Sequence, residues 1–204
     1  VFPQITETEV FMSKTISTML PLGTKAPDFE LPCVVEKKAF SKDQLRGKDG
    51  LLVMFISRHC PYVLRINGQL AKLGHDYKNS GIGIVAISSN DVESHPDDSP
   101  LHLKQLVEQA GFEFHILYDE SQAVAKAYRA ACTPDFFLFN GEEELVYRGQ
   151  LDNARPGNDE PNEGTDLRLA MDSMLKGLPI PSEQSASMGC NIKWKPGNEP
   201  DYFG

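Results

Sequence analysis

Four thiols are the side chains in this sequence most able to do covalent chemistry: Cys33, Cys60, Cys132 and Cys190. No two stand at C-x-x-C spacing, and no His/Cys group has zinc-like spacing, so neither a local dithiol nor a metal centre is read from them. Cys60 has the strongest context. It follows the apolar run Leu51–Ile56 and precedes Pro61. That places it between a strand buried on both faces and the first turn of a helix. Unpaired N–H groups and the helix dipole at such a terminus favour a thiolate over a thiol. The thiolate is the nucleophile toward a disulfide or a peroxide. Arg58 and His59 stand just before it, and either cation would add to the stabilisation. The alternative is a buried, inert cysteine. The strand-to-helix junction argues against that, because sites gather at the C-terminal edge of a parallel sheet.

The elements that must position Cys60 follow from periodicity. Val63, Leu64, Ile66, Leu70, Leu73 and Tyr77 recur at helical spacing until Asn79-Ser80-Gly81 stops the run. Ile82–Ile87 reads as a second buried strand, Leu101–Ala110 as a helix ended by Gly111, and Phe114–Leu117 as a short strand. Ser121–Ala131 reads as a helix with Ser121 as N-cap. Phe136–Phe139 and Glu144–Tyr147 flank Asn140-Gly141, a strong hairpin signal. Asp152–Asp166 reads as an acidic Pro/Gly/Asn loop and Leu167–Leu178 as a last amphipathic helix. Alternating strands and helices imply a parallel sheet with covering helices, which the closing hairpin makes mixed.

Bulk properties exclude several function classes. The chain has 204 residues and a formal net charge of -9, without a Lys/Arg run, so it carries no electrostatic footprint for nucleic acid or an anionic membrane. No apolar stretch approaches the roughly 20 residues of a membrane span. The first 20 residues do not pattern as a secretory signal. Scattered cysteines suit a reducing, cytoplasmic setting, with a periplasmic one open if a leader was trimmed. A monomer or a homodimer is expected, and no cofactor or metal is called for.

The motifs Ala26-Pro27-Asp28-Phe29, His59-Cys60-Pro61-Tyr62 and Cys132-Thr133-Pro134 before a hairpin resemble the thioredoxin-like superfamily. Within it they are most similar to redoxin domains of the peroxiredoxin-like (AhpC/TSA) group. Ser88-Ser89-Asn90-Asp91, Tyr118-Asp119-Glu120, Tyr147-Arg148-Gly149, Arg155-Pro156-Gly157-Asn158 and Gly189–Lys195 extend the likeness to an uncharacterised peroxiredoxin-like subgroup over roughly residues 21–197. The resemblance implies an α/β, thioredoxin-like three-layer fold, a mixed central sheet with helices on both faces. Composition and periodicity divide the chain into an N-terminal arm (1–20), a domain (21–180) that the resemblance makes a redoxin domain, and a C-terminal tail carrying Cys190 and Trp194 (181–204). The resemblance also implies that Pro134 is cis, in a Thr133-Pro134 loop facing Cys60 and ready to pair with an extended partner chain.

Several family features are missing. The second cysteine of thioredoxins is Val63 here, and their buried acid is Met54. Ser57 and Cys60 fit the peroxiredoxin Pro-x-x-x-Thr/Ser-x-x-Cys pattern, but Val53 replaces its proline. The peroxide-orienting arginine has no counterpart in place; Arg58, Arg148 or Arg155 could substitute for it. Cys132 is either a second redox thiol or a small residue in a tight loop. Cys190 is a resolving thiol if the tail folds back over the site or reaches across a dimer; otherwise it is a bystander in a tail anchored by Trp194. Cys33 reads as structural. Asp152–Glu163 imitates a calcium loop, but Ala154 and Pro156 cannot supply side-chain oxygens, so a solvated loop near the site is the better reading.

Three functions are consistent with this. One is a thiol-dependent oxidoreductase in which Cys60 attacks a disulfide and a distant or external thiol resolves the mixed disulfide, its partner a small thiol reductant or a thiol- or disulfide-bearing protein. The second is a one-Cys thiol peroxidase with antioxidant activity. The third is a non-catalytic module that holds a partner segment in the cis-proline groove.

Overall fold

A computed structural model describes residues 14–203. The strands are β1 (Lys14–Ile16), β2 (Glu30–Pro32), β3 (Ala39–Ser41), β4 (Gly50–Phe55), β5 (Ile82–Ser88), β6 (His115–Tyr118), β7 (Cys132–Thr133), β8 (Asp135–Asn140), β9 (Leu145–Gly149) and β10 (Met188–Asn191). The helices are α1 (Lys42–Leu45), α2 (Pro61–Tyr77), α3 (Pro100–Ala110), α4 (Ala123–Ala127) and α5 (Thr165–Leu175), with a 3-10 turn at Pro96–Asp98.

Five strands make the central sheet, in the order β6-β5-β4-β8-β9. β4, β5 and β6 run parallel, whereas β8 and β9 are antiparallel additions. Side chains alternate across β4 because successive residues of a strand face opposite ways. Leu52, Met54 and Ile56 pack with α2 and α5; Leu51, Val53 and Phe55 pack with α4, β2 and β3. The continuous apolar run is thus a strand buried by helices on both faces, and the fold is the three-layer, thioredoxin-like α/β architecture.

Local chemistry adjusts several element ends. α4 is shorter than the 121–131 run of good helix formers, since Gln122 enters it with φ 62 and Arg129 leaves it with φ 50. The N-cap is Gln122 rather than Ser121, whose Oγ nevertheless accepts the Ala123 N–H at 3.2 Å. In the hairpin, Asn140 accepts the N–H groups of Glu142 and Glu144 on its side chain, which widens the turn beyond two residues. The loop after β9 is less solvated than its composition implies: Asp152 is buried and accepts the N–H groups of Ala154 and Gly164.

The tail is the larger difference. Residues 188–191 form β10, the middle strand of a second sheet, β1-β10-β7. Cys190 pairs with Thr133, and Asn191 with Cys132. The approach requires glycine at 189, where a Cβ would stand 1.9 Å from the Thr133 carbonyl oxygen. Flanking segments are tied down as well. Ile192 N–H donates to the Ala131 carbonyl at 3.1 Å, Lys193 N–H donates to Asn90 Oδ1 at 2.8 Å, and Trp194 is buried.

Candidate active site

Cys60 is the N-cap of α2, with Pro61 in the first helical position. Proline fits there because its missing N–H would have had no partner. The strand-to-helix junction brings Cys60 against the cis Thr133-Pro134 bond and against β10. Cys60 Sγ lies 3.1 Å from the Thr133 carbonyl oxygen and 2.9 Å from Cys190 Sγ. Both sulfurs are buried, with Cys60 0% and Cys190 2% exposed.

This pairing divides the two thiols. The Cys190 thiol donates to Cys60 sulfur, and the Thr133 side chain and the Val63 and Cys190 N–H groups add to that. Together they outweigh burial and hold Cys60 down to about 6. Cys190 moves the other way: donating its proton to the Cys60 thiolate, and being buried, raises it far above an ordinary thiol. The pairing thus favours the charged form at Cys60 and the protonated form at Cys190.

A polar cluster lies behind Cys60. Asp98, 0% exposed, accepts from Ser57 Oγ at 2.8 Å, from the Arg58 N–H at 2.6 Å and from Asn90 Nδ2 at 2.6 Å, and faces His59 Nδ1 at 2.9 Å. Burial works against its charge, but the bonds from His59, Asn90 and Ser57 prevail and hold it below the usual carboxylate range. His59 is raised in turn, chiefly by its bond to Asp98, with the Cys60 charge adding and Lys193 opposing. Its ring stacks on His95, centroids 5.3 Å apart.

The remaining cysteines and arginines have clear places. Burial drives the Cys132 thiol well above its ordinary value, and its sulfur contacts the Pro134 carbonyl at 3.7 Å. Cys33 is buried and bridges to Leu117, away from the pair. Arg58 gives its N–H to Asp98. Arg148 is engaged by the Leu20 carbonyl, Ser182 and Gln184. Arg155 bonds the carbonyls of Asp152 and Ala154 and the side chain of Gln150. It lines, with Tyr62, Pro134, Leu151 and Met188, a shallow cleft beside the first turn of α2. Among the described residues, no group of three or more His, Cys, Asp or Glu side chains could hold a metal ion.

Asp98 and Asn90 belong to this site and carry no motif of their own as ligands to the Cys60 loop. Another buried acid is Asp135, next to Pro134, which burial pushes up to about 7 against the pull of Ser17 and Ser187.

The AhpC/TSA family model matches residues 22–148. The chain belongs to the AhpC/TSA family. It is 29% identical over 124 residues to the thiol-disulfide oxidoreductase ResA of Halalkalibacterium halodurans, a match covering 61% of this chain and 65% of that protein. The likeness therefore spans somewhat less than two thirds of that relative. An uncharacterized conserved protein from Geobacillus kaustophilus superposes with a TM-score of 0.89 at 45% identity, over 91% of this chain and 98% of that one. Peroxidoxin BcpB from Mycobacterium tuberculosis shares the fold, with a TM-score of 0.57 at 13% identity over 76% of this chain and 96% of that chain. In this AhpC/TSA chain the arm and tail flanking the matched segment meet as β1 and β10, and β10 brings in Cys190.

Proposed function

We propose that the protein is a thiol-dependent oxidoreductase in which Cys60 attacks and Cys190 resolves. The observation that carries this is the 2.9 Å separation of the two sulfurs, a contact that lowers Cys60 and raises Cys190. The Cys60 thiolate attacks one sulfur of a disulfide, forms a mixed disulfide and releases the other sulfur as a thiolate. Cys190, once its proton is lost to solvent, attacks Cys60 sulfur and expels the second thiolate, leaving a Cys60–Cys190 disulfide. Only a small approach is needed, since a disulfide bond is about 2 Å long. An external thiol, small or protein-borne, then restores the dithiol, in the reducing cytoplasmic setting where such thiols are maintained. The resemblance to ResA supports disulfide chemistry. Mass spectrometry after limiting oxidised glutathione is expected to find Cys60 bonded to Cys190, and to find a trapped glutathione mixed disulfide on Cys60 in Cys190→Ser. Full exchange activity in Cys60→Ser would end this reading.

One observation favours a second reading, a peroxidase. The edge beside Thr133 that an extended polypeptide would use is filled by β10, and Cys60 is covered. A small oxidant fits such a closed site better than a folded partner does. A hydroperoxide would convert the thiolate to sulfenic acid and leave as an alcohol or water. Cys190 would then condense with the sulfenic acid, releasing water. This is a two-thiol cycle rather than a one-Cys one, and the filled edge also weighs against a non-catalytic module that holds a partner there. Stopped-flow mixing of the reduced protein with hydrogen peroxide discriminates; a rate no faster than that of free cysteine excludes the peroxidase.

A further inference from the structure

We propose that Asp98 is the positioning residue of the Cys60/Cys190 couple, holding the loop before Cys60 directly and the strand after Cys190 through Asn90. The inference rests on the two-thiol reading above. Asp98 lies on neither cysteine-bearing segment; it closes the 3-10 turn between β5 and α3. Its two oxygens take Ser57 Oγ, the Arg58 N–H, His59 Nδ1 and Asn90 Nδ2, at 2.6–2.9 Å. The first three span the residues immediately before Cys60. The fourth, Asn90, uses its other side-chain atom, Oδ1, to accept the Lys193 N–H at 2.8 Å. Lys193 is three residues beyond Cys190, and its carbonyl is held in turn by the Asp91 N–H at 2.8 Å and Gln122 Nε2 at 2.9 Å.

One buried carboxylate thus ties together two segments whose cysteines are 130 positions apart. Every group that Asp98 faces can donate, so a carboxylate, an acceptor at both oxygens, satisfies all four. An asparagine would turn an NH2 toward at least one donor. Fixing both segments to one rigid point raises the effective concentration of one sulfur at the other. The charge has a second consequence. An ionised Asp98 raises the His59 imidazole beside Cys60, while Lys193 and His95 face the same imidazole and oppose its charge. Around Cys60 itself the titratable neighbours are His59, Cys190, Cys132 and Tyr62.

Two variants separate the two grips. Asn90→Ala releases the tail and removes one of the four donors to Asp98, whereas Asp98→Asn weakens both grips. Each full-length protein is equilibrated with mixtures of reduced and oxidised glutathione, and the Cys60–Cys190 disulfide is quantified by alkylation and mass spectrometry. The Cys60 titration midpoint is read separately from thiolate absorbance, as the difference from Cys60→Ser. Asn90→Ala is expected to lower the ratio of disulfide to dithiol about tenfold, the size of one lost hydrogen bond. It should move the Cys60 midpoint less than Asp98→Asn does, because three donors to Asp98 remain. Asp98→Asn is expected to lower the ratio at least as far and to move the midpoint upward by about half a pH unit, through His59. A general loss of stability would not produce this split. Unchanged ratios in both variants, with the wild type forming the disulfide, would overturn the positioning role while sparing the couple. Absence of any Cys60–Cys190 disulfide in the wild type would overturn the couple and this inference with it. If Asp98→Asn does not fold, Asn90→Ala still decides: an unchanged ratio there refutes the tail grip.

Discussion

Removing the Cys190 thiol tests the chemistry most directly. The hydrogen bond from Cys190 is the largest influence holding Cys60 at about 6, against an ordinary value of 9.0. Replacing Cys190 by alanine deletes that bond and leaves the Val63 N–H and the Thr133 side chain in place. A hydrogen bond to a charged group contributes about 1.5–3 kcal/mol, and 1.36 kcal/mol corresponds to one pH unit, so the midpoint should rise by about one to two pH units. The Cys60 thiolate fraction at neutral pH then falls from about nine tenths to between about one half and one tenth. Recovery all the way to 9.0 is not expected, because the remaining donors still favour the charge. Cys190→Ser, which keeps a hydroxyl donor, should fall between the two. The assay is thiolate absorbance against pH, referenced to a Cys60→Ser protein. Alkylation rate alone is a poor readout, since the substitution also uncovers a sulfur that is 0% exposed. A midpoint that stays near 6 in Cys190→Ala would refute the sulfur–sulfur hydrogen bond as the cause of the acidity.

Other consequences can be measured as readily. Asp135 is an acid raised to about 7 from 3.8, so the folded state holds its proton more tightly than the unfolded chain does. The resulting stability is complete below the unfolded value and is lost as pH rises through about 7, by up to about 4 kcal/mol. Urea unfolding of Asp135→Asn against wild type should show that slope vanish, and parallel curves would refute it. Gly189→Ala puts a Cβ 1.9 Å from the Thr133 carbonyl oxygen, so β10 must shift. A cost of about 1–3 kcal/mol and a matching drop in Cys60–Cys190 disulfide are expected from denaturation and mass mapping. Cys132→Ser should keep turnover within about twofold, because burial keeps that thiol protonated and a thiol is a poor nucleophile; a loss above tenfold would make Cys132 a redox partner.

Much of this was legible from residues 51–77. An apolar strand, a cysteine, a proline and a helical apolar stripe place Cys60 at a helix N-terminus, where the structure has it. The order of strands and helices and the faces of β4 follow from the same periodicities. The role of β10 was not legible. Met188-Gly189-Cys190-Asn191 is four residues long, with a glycine in it, and its pairing partners are the arm at 14–16 and two residues beside Pro134. Strand signals need length and alternation, and a strand made by contacts more than 50 residues away in sequence offers neither. Asp98 was hidden for a related reason. It lies in a polar, Pro-containing stretch that reads as a solvated turn, and its burial comes from Ser57, Arg58, His59 and Asn90 closing around it. The shortened α4 shows the same limit: favourable propensity over 121–131 yields where residues 130–133 are drawn into contact with the tail.

The position of β10 also has a consequence for the life of the protein. A bond between Cys60 and Cys190 would close a ring spanning 130 positions. Cross-linking a loop of that size restricts the unfolded chain by about 5 kcal/mol in the chain-entropy picture. Oxidation would then act as a clasp on the whole sheet, with the last strand fastened to the first turn of α2. The reduced form, lacking the clasp, is the one from which the tail can fray and the one a protease would find first. Redox state would set not only the readiness of the thiol but how long each molecule persists, so that turnover in the cell becomes a record of recent oxidation.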